Sequence, residues 1–257
     1  MNWMDAIIER WHTTPDDGQQ IYDALGMSPA LYARWVEKPH KYVLGLDEVG
    51  YGSLAGPLVI GAVLAPVRWE HPLLKDSKAF KGDDDGKAER ARANVLQQLA
   101  GQPDAHYFLH RTSSEDVDRF GVYKALMRAF SDVCEHVLRG RSDVLVVIDG
   151  DERVEGLEHI CLPKADSFVP QVSAASIVAK VSRDTEMRLL DREYPGYLFG
   201  KHKGYGTKEH RAAILNLGLC PIHRRSYKMK FLENSSSSSR PSEPRTPSPD
   251  SSSTRAS

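Results

Sequence analysis

Two adjacent acids, Asp47 and Glu48, close the apolar run Val43-Leu44-Gly45-Leu46, and a second apolar run, Pro57 to Leu64, follows the turn residues Gly50-Tyr51-Gly52. Ionised carboxylates beside buried apolar chain are expensive unless their charge is offset. A cation offsets it, and a cation held by carboxylates suggests phosphate chemistry. Two more acids stand in comparable places. Asp149 ends the apolar run Val144-Leu145-Val146-Val147-Ile148, and Asp166 lies in Pro163-Lys164-Ala165-Asp166-Ser167, just ahead of a long helical pattern. Ligand sites in open α/β sheets gather at strand ends, so a carboxylate on one strand, another on its neighbour and a third at a helix start can face one point. Four oxygen-bearing ligands without a His or Cys partner favour a hard cation, Mg²⁺ or Mn²⁺. Two such ions roughly 3.5–4 Å apart activate a water and stabilise the leaving oxygen of a phosphodiester. Taken singly, each acid reads equally well as a turn or helix-cap residue. Strand alternation also sends Asp47 and Glu48 to opposite faces. They share a site only if the backbone turns there, for which Gly50 and Gly52 supply the freedom.

The elements that must position these acids are legible in the hydrophobic periodicity. Strands are predicted over 43–47, 58–64, 106–111 and 144–149, and helices over about 87–100, 122–138, 169–194 and 208–217. Strands that cluster first and then alternate with helices predict an α/β domain over 41–233, a mixed sheet with helices on both faces. The segment from Pro170 to Glu193 is the clearest helix, with Pro in its first turn, small residues Ala174, Ala175 and Ala179 for close packing, and Pro195 beyond its end. Residues 1–40 read as a short helical extension, punctuated by Pro15, Gly18, Gly26 and Pro29, that packs on the domain or on a protein partner. Residues 234–257, rich in Ser, Pro and Arg, have nothing to bury and are expected to be disordered.

Composition narrows the functional classes. Lys and Arg total 34 against 35 Asp and Glu, so the whole chain does not advertise nucleic-acid binding. A local basic stretch can still bind phosphates, and His202, Lys203, Lys208, Arg211, Arg224, Arg225, Lys228 and Lys230 form one near the C-terminal end of the domain. Cys134, Cys161 and Cys220 have neither metal-ligand nor disulfide spacing, which points to a reducing compartment. No apolar run is long enough to cross a bilayer and no signal sequence opens the chain, so the expected location is the cytoplasm. The histidines lack zinc spacing, and no serine has the His-plus-acid company that acyl transfer needs.

The words around the acids resemble those of one family. Gly45-Leu46-Asp47-Glu48-Val49-Gly50-Tyr51-Gly52-Ser53-Leu54-Ala55-Gly56-Pro57 is similar to the opening motif of type 2 ribonucleases H (ribonuclease HII). Asp76-Ser77-Lys78, Ile148-Asp149-Gly150, Lys164-Ala165-Asp166-Ser167 with Val172 to Asp184, His202-Lys203-Gly204-Tyr205-Gly206-Thr207 and His223-Arg224-Arg225-Ser226 resemble its later motifs, in family order.

The resemblance implies an RNase H-like fold whose central mixed five-stranded sheet carries Asp47, Glu48, Asp149 and Asp166 as catalytic and metal-binding residues. It implies two Mg²⁺ or Mn²⁺ ions and endonucleolytic cleavage of the RNA strand in RNA–DNA hybrids or ribonucleotide-containing duplex DNA, by a monomer, leaving 5′-phosphate and 3′-hydroxyl ends. Substrate contacts carry over to Gly50, Tyr51, Gly52, Ser77, Lys78, His202, Lys203 and Tyr205, the last against a sugar of the DNA strand. The family's Gly-Arg-Gly turn, which feels the 2′-hydroxyl, is here Gly50-Tyr51-Gly52. Tyr51 has no guanidinium fork to offer a phosphate, so a weakened preference for single embedded ribonucleotides is expected. Two other readings remain: a hybrid-binding module of the same fold without turnover, and a junction resolvase of the same superfamily.

Overall fold

Strands covered on both faces lose the apolar–polar alternation of a half-exposed sheet. That is the pattern of β1 (Tyr42–Val49) and β2 (Leu58–Pro66), which are buried along almost their whole length. A computed structural model of the chain describes residues 40–74, 86–151 and 153–232. The expected helical extension over 1–40, apart from its last residue, and the expected disordered tail over 234–257 lie outside them, as do Ser77 and Lys78. The chain divides into a unit spanning Met1–Tyr227 and a second spanning Lys228–Ser257, and the architecture below belongs to the first.

Five strands form one sheet in the order β3-β2-β1-β4-β5, with β3 at His106–Thr112, β4 at Val144–Asp149 and β5 at Ile160–Leu162. The β1–β2 and β2–β3 pairs are antiparallel, whereas β1–β4 and β4–β5 are parallel. The mixed five-stranded sheet is therefore as expected. The three-residue strand β5 escaped the periodicity reading because so short an apolar run carries no period.

Helices α1 (Lys87–Leu99), α2 (Ser114–Phe120), α3 (Val122–Leu138) and α4 (Pro170–Glu193) cover the sheet, and α5 (Phe199–His202) and α6 (Lys208–Leu217) follow. On one face, Leu44, Leu46, Leu58, Ile60, Val146 and Ile148 pack with Ala125, Leu126, Ala129, Phe130 and Val133 of α3. On the other, Val63 and Ala65 pack with Val95 and Leu99 of α1 and with Ala174, Ala175, Ile177 and Val178 of α4. Each fully buried Leu, Ile or Phe contributes roughly 1.5–3 kcal/mol of transfer free energy.

Helix α4 lies so close to the sheet that backbone meets backbone. A methyl group on Gly45 would sit 2.4 Å from the backbone of Gln171 and Val172, and one on Gly61 would sit 2.2 Å from the carbonyl oxygen of Ala175. These contacts need no special torsion, only the missing Cβ. Gly61 is the cross-strand partner of Asp47, and Gly45 lies two residues before it on the same face. The seat of the helix and the position of the first candidate acid are thus one piece of geometry.

Gly61→Ala is expected to destabilise the protein by roughly 2–4 kcal/mol, because rigid backbone rather than a flexible side chain must yield. Denaturant unfolding of the variant checks this; a loss below ~0.5 kcal/mol would contradict the close seat.

Candidate active site

The parallel ladder between β1 and β4 ends with Leu46 opposite Ile148, and Asp47 and Asp149 are the next residues on their strands. They leave neighbouring strands at the same level. Asp47 is 9% exposed and accepts hydrogen bonds from the Ser176 hydroxyl on α4 and, at 2.8 Å, from the N–H of Glu48. Asp149 accepts from the N–H of Ala165 at 2.8 Å. That bond ties β4 to the 3-10 turn Ala165–Ser167, which carries Asp166. Lys164, with φ of 64°, turns the chain into position for it.

Three of the four candidate acids interact. Burial raises the Asp47 carboxyl to about 7, and the charges of Asp149 and Asp166 add to the rise against the hydrogen bonds from Ser176 and Glu48. Burial likewise raises Asp149, with Asp166 adding and the N–H groups of Ala165, Gly150 and Lys164 opposing. Glu48 stands apart. The strand runs on through Val49, so the backbone turn on which a shared Asp47–Glu48 site was conditioned begins only at Gly50, where φ is 92°. Glu48 is the cross-strand partner of Ile60, a residue of the α3-side core. Among the described residues, no three His, Cys, Asp or Glu side chains are gathered tightly enough to hold an ion as they stand. The acids meet as interacting charges around a strand end rather than as a closed cage.

The turn after the acids is held from behind by two arginines that are completely buried. Arg183 of α4 donates to the carbonyls of Pro57, Lys203 and Ala55 at 2.8, 2.9 and 3.1 Å. Arg224 donates to the carbonyls of Gly50, Gly56 and Tyr51 at 2.6, 3.0 and 3.1 Å, and to the Tyr227 hydroxyl at 2.9 Å. Tyr227 in turn donates to the Tyr51 carbonyl. A Cβ on Gly50 would strike Arg183 at 2.3 Å, whereas one on Gly52 would meet nothing within 4 Å. The Tyr51 ring is half-buried and packs on the α3-side core. The ring thereby anchors the turn to the core from its middle residue.

Other expected contacts divide. Tyr205 is half-exposed, with the Arg183 guanidinium 5.5 Å and the Lys180 amine 6.0 Å from its ring centre. The basic stretch is only partly a surface feature: Lys208, Arg211 and Arg225 are exposed, but Arg224 and His202 are buried. His202 accepts from the Gly204 N–H and donates to the Tyr197 carbonyl, so both ring nitrogens are engaged inside. The resemblance places His202 among the substrate contacts; here its ring is enclosed. Lys203 also turns inward, its amine bonded to the Gly200 carbonyl. Sequence reasoning missed Ser176, the anchoring role of Arg183 and Arg224, and a relay of imidazoles. In that relay the Cys220 N–H donates to His223 Nδ1, His223 Nε2 to His210 Nε2, and His210 Nδ1 to the Tyr205 carbonyl. Nothing in the order His223-Arg224-Arg225 says that the first arginine turns in and the second out.

Two outcomes follow. A carboxyl raised on folding weakens the fold progressively as pH climbs from 3.8 toward 7, and the whole penalty is present above 7. In chelator at pH 8, Asp47→Asn is therefore expected to melt on the order of 5 °C above wild type, with the gap closing toward pH 4; an equal or lower melting temperature at pH 8 would refute the burial penalty on the ionised carboxylate. Burial lowers His210 and His223 from 6.5 to about 4. Their neutral forms stabilise the fold above pH 6.5, and that contribution is lost as pH falls toward 4. The C2 proton resonances of both rings should stay in the neutral position down to pH 5; titration near 6.5 would break the relay.

With this geometry in place, comparison with known proteins is informative. The family model of ribonuclease HII matches residues 44–230. The ribonuclease HII of Thermus thermophilus is 41% identical over 187 residues, 72% of this chain and 85% of that protein. The one from Syntrophus aciditrophicus is 37% identical over 195 residues, 76% of this chain and 87% of its own length. The crystal structure of ribonuclease H2 from Pyrococcus horikoshii superposes with a TM-score of 0.59 at 26% identity, covering 75% of this chain and 98% of that one. Matched over most of its length and joined by a mixed sheet with interacting acids at its central strand ends, the chain belongs to the ribonuclease HII family and is a type 2 ribonuclease H.

Proposed function

We propose that the protein cleaves the RNA strand of RNA–DNA hybrids endonucleolytically, in a reaction that depends on divalent cations and leaves 5′-phosphate and 3′-hydroxyl ends. The coupling of Asp47, Asp149 and Asp166 carries this reading. Burial raises the Asp47 and Asp149 carboxyls, and the neighbouring acids add to the rise, Asp149 and Asp166 on Asp47 and Asp166 on Asp149; such a cluster repels a phosphate unless positive charge is added. The donor set is oxygen throughout, which fits Mg²⁺ or Mn²⁺ and does not fit a soft metal. Asp47, Asp149 and Asp166 would hold two such ions, with Glu48 reaching round the strand end. When bound, the ions supply an acidified water and charge neutralisation at the phosphate.

The chain's own residues do the rest. Ser176 and the Glu48 N–H orient the Asp47 carboxylate, and the Ala165 N–H orients that of Asp149. Gly52 is exposed with open space where a side chain would stand, and its φ is not in the left-handed region. The fold does not demand a glycine there, whereas close approach of a nucleic-acid backbone does. Tyr205, backed by Arg183 and Lys180, presents a ring for a sugar. Lys208, Arg211 and Arg225 are exposed for sequence-independent phosphate contacts. Residues 1–40 remain the segment we assign to a protein partner, and we take the protein to act as a monomer. Among the described residues no helix is long and apolar enough to cross a membrane.

Incubation with hybrid, double-stranded DNA, double-stranded RNA and branched DNA tests the reading. Hybrid alone should be cut, with Mg²⁺ or Mn²⁺, and not in chelator or by Asp47→Asn. A duplex with one ribonucleotide should be cut more slowly than a longer RNA tract, because Tyr51 offers no fork to the phosphate. Gly52→Ala should melt with wild type yet lose roughly tenfold in hybrid cleavage, about 1.4 kcal/mol of transition-state binding. Hybrid binding without cleavage would favour the non-catalytic module, and cutting of branched DNA would favour the resolvase.

A further inference from the structure

Arg224 is a costly residue for its position. Its guanidinium is fully buried, and among the described residues no carboxylate lies within ion-pair distance of it or of Arg183. The two guanidinium groups also repel each other. A buried charge without a counter-charge costs several kcal/mol unless hydrogen bonds compensate it. Here three of the compensating acceptors are main-chain oxygens of one loop, Gly50, Tyr51 and Gly56. The Nη2 of Arg224 is left buried with no partner at all. The fork is fitted to the loop at the expense of its own satisfaction.

A trans peptide is planar, with C=O and N–H pointing in opposite directions. The carbonyls of Gly50 and Tyr51 both converge on Arg224 Nη1, and the second is also taken by the Tyr227 hydroxyl. The other halves of those two peptide planes are the N–H groups of Tyr51 and Gly52. Peptide planarity turns them away from the guanidinium, and Gly52 itself is exposed. Successive N–H groups turned the same way form a concavity for an anion or a hydroxyl oxygen, and the positive charge behind them adds attraction for a polyanion.

We infer that Arg224 and Tyr227 are positioning residues for substrate discrimination: they do not touch the nucleic acid but aim the Tyr51 and Gly52 peptides at the ribose-bearing strand. The inference rests on the nuclease reading above and deepens it.

The test is steady-state cleavage of a short RNA–DNA hybrid by the full chain, with the all-DNA duplex of the same sequence as competitor. For Arg224→Lys, which keeps the charge and loses the fork, KM for hybrid should rise tenfold or more, with kcat within about twofold and the inhibition constant of DNA unchanged. Tyr227→Phe should raise KM three- to fivefold while melting within a few degrees of wild type. If Arg224→Lys does not fold, Tyr227→Phe decides the matter. A folded variant that keeps the wild-type KM, or that loses kcat and DNA affinity in parallel with KM, overturns the inference. A wild-type chain that cuts no hybrid removes the nuclease reading and this inference with it; one that cuts while both variants keep their KM removes this inference alone.

Discussion

The close seat of helix α4 on the sheet is the constraint on which the rest depends. Gly45 and Gly61 lack the Cβ atoms that would hold the helix off, and the helix backbone occupies that space. Because Gly61 is paired with Asp47 and Gly45 precedes it by two, the contact surrounds the first acid. It brings Ser176 within hydrogen-bonding reach of Asp47 and delivers Arg183, two turns further along, to the loop that follows the strand. Van der Waals exclusion at two glycines thus decides both how dry the carboxylate is and what stands behind the recognition turn.

The acids and the arginines are opposite solutions to one electrostatic problem. At the strand ends, carboxylates lie close enough to raise one another, and burial makes Asp47 worse off than it would be in water. That stored repulsion is an affinity for positive charge. Behind the loop, guanidinium groups are buried and bonded mainly to main-chain carbonyls, with the Tyr227 hydroxyl also on Arg224. Their positive charge lies behind a loop whose sequence begins two residues after the acids, a separation suited to a ligand that is itself a polyanion reacting at a cation-dependent centre.

The imidazole relay extends the same logic to Tyr205. His223 and His210 pass hydrogen bonds in one direction, from the Cys220 N–H to the Tyr205 carbonyl, and each ring is kept neutral by burial. The stack of His202 on His210, with ring centres 4.3 Å apart, closes the cluster against Phe199. Residues that look like a basic surface in the sequence are here the interior scaffold of the segment that carries the tyrosine.

What the sequence by itself determined was local and periodic. The boundaries of α3 and α6 were legible because a 3.6-residue period runs through both, and β1, β2 and β4 because each carries a continuous apolar run of strand length. The four acids were legible because carboxylates beside such runs need an explanation. Long-range direction was not legible. Arg224 and Arg225 are neighbours of identical chemistry, yet one is fully buried and the other exposed. His202 reads as a surface base and is enclosed. Whether the backbone turns between Asp47 and Glu48 was open in the sequence, and the strand runs on through Val49. Only tertiary structure decides such cases, because the partners that fix a side chain's direction, here the carbonyls of Gly50 and Tyr51 more than 170 residues away from Arg224, leave no mark on the chain near it.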